Sequence, residues 1–113
     1  MRHDELLYMQ VKQELEDSIL SGRLAPGQRV PSVRSLAAAH QVNPDTIQRA
    51  LRLLREEALI CPGRRCFSVT RDTRLICRCR EKKARLLAAQ LRANLSALGY
   101  GEADLFGGLL QVV

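Results

Sequence analysis

The sequence predicts a mainly α-helical fold that contains one small β-hairpin. Apolar residues recur every three or four positions through most of the chain, a pattern typical of helices that bury one face. The repeat is interrupted by a turn cluster at Pro26-Gly27 and again by two short apolar runs that flank Cys61–Arg65. The 113 residues are 46% hydrophobic and 27% charged, which is typical of a folded globular chain of about one domain.

The first predicted helix runs from Asp4 to Ser21 and ends at Gly22, because glycine is favoured just after a helix. We expect its acidic residues to lie opposite an apolar stripe formed by Leu7, Val11, Leu15, Ile19 and Leu20. Pro31 then favours an extended backbone at Val30, before the next helix begins.

Two more helices follow in close succession. The second runs from Val33 to about His40 with Ser32 as N-cap, and the third runs to about residue 59 with Asn43 as N-cap. We expect the third helix to bury Ile47, Ala50, Leu51, Leu54 and Ala58 and to present Thr46, Gln48, Arg49 and Arg52 outward. A short turn between two helices, the second with polar and basic residues near its start, predicts a helix-turn-helix.

The chain from residue 59 to 69 predicts a hairpin with two arginines at its tip, which makes the fold a winged helix-turn-helix. Two helices follow, one of about 26 residues from Asp72, roughly 39 Å long, and a short one from Glu102 to about Leu110. We therefore expect a winged domain over residues 1–70 and a helical dimerisation region over residues 71–113. In the dimerisation region, the residues expected to pair the two chains are Leu87, Leu91, Leu95, Leu98, Phe106 and Leu109. Alternatively, this apolar stripe could form a core within one chain.

The charge of the chain favours a polyanionic partner. It carries 18 basic residues against 12 acidic ones, for a formal net charge of +6, and its pI is about 9.7. Residues 23–71 contain nine arginines but only three acidic residues. Arginine suits phosphates and guanine edges, and the chain has too few aromatic residues for stacking on single-stranded bases. Duplex DNA is the predicted partner.

Several functional classes are excluded by what the sequence lacks. No apolar run approaches the roughly 20 residues of a membrane span, and no apolar signal region follows the N-terminus, so we expect a cytoplasmic protein without a membrane partner. Cys61, Cys66, Cys77 and Cys79 lack the spacing of a zinc site. We expect no metal, no cofactor and no enzymatic activity, because no catalytic pairing can be assembled.

Residues at many positions between Tyr8 and Ala50 match the sequence pattern of one known family. The matching residues are Tyr8, Gln10, Ile19, Ser21-Gly22, Leu24, Pro26-Gly27, Pro31–Arg34, Leu36-Ala37 and Val42–Ala50. They resemble the DNA-binding domain of the GntR family over about 70 residues, and the short remainder is similar to the family's YtrA-type branch. The resemblance implies a dimeric bacterial transcription factor, usually a repressor.

The same resemblance implies a set of DNA contacts. Phosphates would be bound by Arg34, by the hydroxyls of Ser32 and Thr46, and by the free amides of the N-terminal turn at Asn43, where Pro44 would also lie against the DNA. Gln48 and Arg49 would read adenine and guanine edges, and the wing would add Gly63, Arg64 and Arg65. The sequence departs from the family pattern at Gln41 and Ala58, which replace usual glycines, and in a shortened wing where Arg65 replaces another.

Two alternative interpretations remain open at this point. The winged helix could be a protein-interaction module whose basic face docks an acidic partner without specific DNA binding. Alternatively, the DNA binder could be switched by a small-molecule effector lodged between the C-terminal helices, or by oxidation of Cys66 in the wing.

Overall fold

The computed structural model describes residues 3–108, and it confirms the predicted mainly α-helical class with one hairpin. The elements are α1 (His3–Leu20), α2 (Val33–His40), α3 (Pro44–Glu56), β1 (Ile60–Pro62), β2 (Phe67–Val69), α4 (Thr73–Ala97) and α5 (Glu102–Gly107). The chain divides into two compact units, which we call the N-terminal unit (Met1–Cys79) and the C-terminal unit (Arg80–Val113). The division falls within α4.

The N-terminal unit has one apolar core between α1, α2, α3, the hairpin and the first turn of α4. Its buried members include the predicted stripe of α1, except that Leu7 is only half-buried. On α3 the predicted residues Ile47, Ala50, Leu51 and Leu54 are all buried, with exposures of 3% or less. These side chains fix the rotation of α3 about its axis, and therefore decide which of its residues face solvent.

Two expectations for α3 were wrong. Ala58 is exposed rather than buried, because the helix ends at Glu56 and Ala58 adopts a left-handed backbone with φ of 63°. The amide of Leu59 then donates to the carbonyl of Leu54 at 3.0 Å, so that Leu59 enters the core instead. Thr46 is buried, with 8% exposure, because the buried stripe of α3 is one residue wider than predicted.

The polar face of α1 also differs from the expectation, since Glu16 is buried together with Lys12. The Lys12 ammonium donates to Glu16 and to Glu57, the residue after α3, with both distances 3.1 Å. Burial alone would lower the pKa of Lys12, but the hydrogen bonds to Glu57 and Glu16, together with their charges, outweigh it and raise that pKa above 10.5. This cluster joins α1 to the end of α3.

The wing sheet includes a segment that lies far from it in sequence. Strands β1 and β2 pair antiparallel, with Ile60 opposite Val69 and Pro62 opposite Phe67. The chain before α2 runs along the other edge of β2, where Arg29 forms an antiparallel bridge with Ser68 and the Val30 amide donates to the Phe67 carbonyl at 2.9 Å. These bonds tie the start of α2 to the wing.

The C-terminal unit contains the later part of α4, a turn at Gly99 with φ of 93°, and α5. Arg92 and Glu102 form an exposed ion pair at 3.4 Å across this turn. Of the predicted pairing residues, Leu87, Leu91 and Leu98 are exposed, at 55%, 42% and 74%, and Leu95 is half-buried. Leu109 lies outside the described residues, as does the side chain of Phe106. Among residues 3–108, no helix is long and apolar enough to span a membrane.

Candidate nucleic-acid interface

The start of α2 carries one exposed arginine and a serine whose hydroxyl caps the helix. Ser32 is the N-cap, as predicted, and its Oγ accepts from the Ser35 amide at 3.1 Å while donating to the Ser35 hydroxyl at 3.0 Å. Arg34, in the first helical turn, is exposed. The Ser32 side chain therefore holds the helix end in place, and Arg34 projects beside the partly positive end of α2.

The start of α3 follows the predicted capping pattern. The Asn43 side chain accepts from the Asp45 amide at 2.9 Å, and Pro44 occupies the first turn. Asn43 and Pro44 are exposed, whereas the burial of Thr46 leaves its hydroxyl little access to a phosphate. The exposed surface at this helix end is therefore made of Asn43, Pro44 and Asp45.

The outer face of α3 carries Gln48, Arg49 and Arg52, all exposed as predicted. Arg49 also makes a contact that sequence reasoning missed: its Cζ lies over the ring of Tyr8 on α1, 4.1 Å from the ring centroid. Because the two residues are 41 positions apart, no local spacing connects them. Only the packing of α1 against α3 brings the ring to the arginine.

The tip of the wing is a tight turn that requires a glycine. The Gly63 amide donates to the Cys66 carbonyl at 2.7 Å, and a Cβ at position 63 would lie 2.9 Å from that carbonyl oxygen. The turn leaves Arg64 and Arg65 exposed and Cys66 half-buried. The shortened wing thus still presents two guanidinium groups at its tip.

The structure brings the α2 and wing candidates together around one cavity. This cavity, of about 430 Å³, is lined by Ser32, Arg34, Gly63 and Arg65, and its apolar wall includes Leu51 and Phe67. Two segments about 30 residues apart in sequence therefore contribute an arginine each to the same concave surface. Such a surface can bind a phosphate from two sides, since each guanidinium offers several donors.

The arginines between residues 23 and 71 of this unit lie on its surface, in contrast to the buried Lys12. All nine arginines between residues 23 and 71 are exposed: Arg23, Arg29, Arg34, Arg49, Arg52, Arg55, Arg64, Arg65 and Arg71. The described residues contain no group of three or more His, Cys, Asp or Glu side chains that could hold a metal ion. The chemistry available at this surface is therefore the binding of a polyanion.

A helix-turn-helix with an exposed polar second helix, beside a basic wing, defines a winged-helix DNA-binding protein. The chain belongs to the gntR family of bacterial regulatory proteins, whose pattern matches residues 7–65. The protein is therefore a DNA-binding transcriptional regulator, as the sequence predicted. Members of this family are regulators and not enzymes, which confirms the prediction that the chain is no enzyme.

Three relatives illustrate the extent of the similarity. A GntR family transcriptional regulator from Listeria monocytogenes is 30% identical, with a TM-score of 0.86 and 94% of both chains covered. YtrA from Sulfolobus acidocaldarius, a GntR-family transcription factor, has a TM-score of 0.57 at 27% identity, covering 76% of this chain and 85% of that chain. The HTH-type transcriptional repressor YtrA of Bacillus subtilis is 37% identical over 54 residues, which are 48% of this chain and 42% of that protein.

Proposed function

We propose that this chain is a homodimeric repressor that binds an inverted-repeat operator in duplex DNA, in the bacterial cytoplasm. In this proposal residues 1–70 bind DNA through α3 and the wing, and residues 71–113 pair the two subunits. The bound dimer blocks access of RNA polymerase to the promoter.

The observation that carries the proposal is that Arg34 of α2 and Arg65 of the wing line the same cavity, while α3 exposes a polar and basic face. A phosphate held between α2 and the wing would place the duplex against that face. Contacts to the backbone fix the register of a protein on DNA, and side chains that reach base edges supply specificity. In this arrangement Arg34 and Arg65 position the duplex.

Gln48 and Arg49 are the proposed readers of sequence. Both are exposed near the start of α3, and residues near the start of a recognition helix are those that enter the major groove. Glutamine pairs with adenine through two hydrogen bonds, and arginine pairs with guanine in the same way.

Pairing of two chains is supported by the exposed leucines of α4. Leu87, Leu91 and Leu98 lie four and seven residues apart, on one face, and each is at least 42% exposed. Covering such a stripe with its copy in a second chain would remove it from water and give the two-fold symmetry that an inverted repeat requires. The repressor role follows the similarity to the Bacillus subtilis repressor.

The first experiment selects bound duplexes from a random DNA library and measures the salt dependence of their affinity. We expect enrichment of an inverted repeat with half-sites about one helical turn apart. A single enriched half-site would contradict the dimer. Salt-sensitive binding without sequence preference would contradict specific recognition, and no binding at all would favour the protein-interaction module.

A matched pair of variants separates reading from positioning. Arg49→Ala should cost about 1–3 kcal/mol of discrimination at one base pair of each half-site, whereas Arg34→Ala should weaken all duplexes evenly and reduce the salt slope by about one per half-site, or about two for the dimer. Affinity measured on operator and random duplex over a salt series tests both effects. An equal loss on both duplexes for Arg49→Ala would remove its assigned role.

A further inference from the structure

The contact between Tyr8 and Arg49 joins a residue outside the predicted interface to the proposed reader of guanine. The Arg49 Cζ lies 4.1 Å from the centroid of the Tyr8 ring. Arg49 is exposed, and Tyr8 is half-buried on α1. At this distance the guanidinium contacts the face of the ring, which attracts cations because of its quadrupole.

The helix that carries the Tyr8 ring is held in place by its packing in the core. Val11 and Leu15, on the same helix as Tyr8, are 2% and 6% exposed in the core. One helical turn after Tyr8, Lys12 forms an ion pair with Glu57 at 3.0 Å. The two contacts from α1 therefore reach Arg49 within α3 and Glu57 directly after it. Together they hold α1 against α3 beside the reading face.

A guanidinium held in this way keeps its hydrogen-bond donors available. The contact with the ring is made at the Arg49 Cζ, whereas the five N–H groups of a guanidinium point outward from the edge of its plane. A free arginine on a helix surface loses rotamer freedom when it pairs with a base, but a stacked arginine has already lost part of that freedom. Preorganisation of this kind raises affinity for the correct partner.

We propose that Tyr8 is a positioning residue that orients Arg49 to read one base pair in each half-site. This role rests on the proposed function, because it requires that Arg49 contacts a base. Tyr8 itself touches no DNA in this proposal. Its effect therefore appears as a change in discrimination at the base pair that Arg49 reads, and at no other position.

The experiment uses the full chain and two duplexes. One is the operator obtained by selection from the random library, and the other carries a substitution at the base pair where Arg49→Ala loses its preference. The measured quantity is the ratio of the two affinities. We expect Tyr8→Leu to lower this ratio about two- to fivefold per half-site, the range of an exposed cation–π contact. Tyr8→Phe should retain the ratio, and Tyr8→Leu should change nothing further in an Arg49→Ala background.

A graded series protects the test against misfolding of Tyr8→Leu. Phenylalanines with increasing numbers of fluorine atoms, placed at position 8, keep an aromatic ring but progressively weaken the negative charge of its face. We expect the ratio to fall with each added fluorine. A merely structural ring would give the same ratio throughout the series.

Several outcomes would overturn the proposal. If Tyr8→Leu weakens binding to both duplexes equally, Tyr8 only supports the fold. A higher ratio for Tyr8→Leu would mean that the ring withdraws Arg49 from the DNA. If the wild-type chain shows no preference for the selected duplex, then the proposed function fails before the role of Tyr8 is reached.

Discussion

The two units of the chain differ in how far their apolar side chains are buried. In the N-terminal unit, fifteen apolar residues are buried in a single core. In the described part of the C-terminal unit no residue is buried, and Leu86, Leu87, Leu91 and Leu98 are 42–74% exposed. The N-terminal unit thus completes its own core, whereas the C-terminal unit presents a surface of the kind that a partner covers.

This difference predicts how each unit is stabilised. A core closed within one chain gives a free energy of unfolding that does not depend on protein concentration. A helix stabilised by a second chain gains stability as concentration rises, because association favours the folded form by mass action. Variants in the two units should therefore respond differently to dilution.

The largest expected effect is in the core of the N-terminal unit. Leu54 is fully buried, and Leu54→Ala should reduce the free energy of unfolding by about 2–5 kcal/mol through lost burial and the cavity left behind. Urea unfolding followed by circular dichroism measures this change. The loss should be the same at low and high protein concentration, and Leu91→Ala in α4 is the matched control whose effect should shrink on dilution, since the stability it removes comes from association.

The second prediction concerns the leucine stripe of α4. Leu91→Asp would bury a carboxylate in the proposed dimer seam and should raise the dimer dissociation constant about 10- to 100-fold. Sedimentation equilibrium measures that constant. Ala93→Asp places the same charge on the opposite, exposed face of α4 and should leave it unchanged. Equal effects of the two variants would remove this face from the interface.

The third prediction concerns Lys12 in the N-terminal unit. Lys12→Met should lower the free energy of unfolding by about 1.5 kcal/mol, at the low end for charged hydrogen bonds because the Glu57 side chain is 43% exposed. Since folding raises the pKa of Lys12 above 10.5, the contribution is fully present below that pH and is lost as the pH rises through the folded value. The gap between wild type and Lys12→Met should therefore shrink above about pH 10.5, as urea titrations would measure.

Local signals predicted most of the fold. Capping residues such as Ser32 and Asn43 predicted where α2 and α3 begin, because a cap acts on amides within three residues. Contacts between distant residues could not be predicted. The burial of Glu16 depends on Lys12, which also pairs with Glu57, 45 residues away. The Tyr8–Arg49 contact likewise requires the packing of α1 on α3.

The candidate interface likewise combines a feature that the sequence predicted with one that it could not predict. The exposure of Gln48 and Arg49 followed from the helical repeat of α3, whereas the meeting of Arg34 with Arg65 depends on the segment before α2 joining β2. Thr46 shows the limit of the repeat, because a residue at the edge of a buried stripe can fall on either side of it.

The smallest expected effects concern two matching helix ends, one in each unit. Ala58 follows α3 with φ of 63°, and Gly99 follows α4 with φ of 93°. In each case the next amide, of Leu59 or Tyr100, donates at 3.0 Å to a carbonyl five residues earlier. The N-terminal unit therefore places a side chain in a left-handed backbone where the C-terminal unit uses glycine, at a cost of about 1–2 kcal/mol.

Exchanging these two residues tests whether the cost is real. Ala58→Gly should stabilise the N-terminal unit by about 0.5–1 kcal/mol, since the greater freedom of glycine in the unfolded chain offsets part of the relief. Gly99→Ala should destabilise its turn by about 1 kcal/mol through backbone strain alone, because nothing lies within 4 Å of the added Cβ. Hydrogen exchange should slow at the Leu59 amide in the first variant and quicken at the Tyr100 amide in the second. Changes of the same sign at both amides would show that the two helix ends are not equivalent, and that the core of the N-terminal unit, rather than the backbone angle, sets the stability at Ala58.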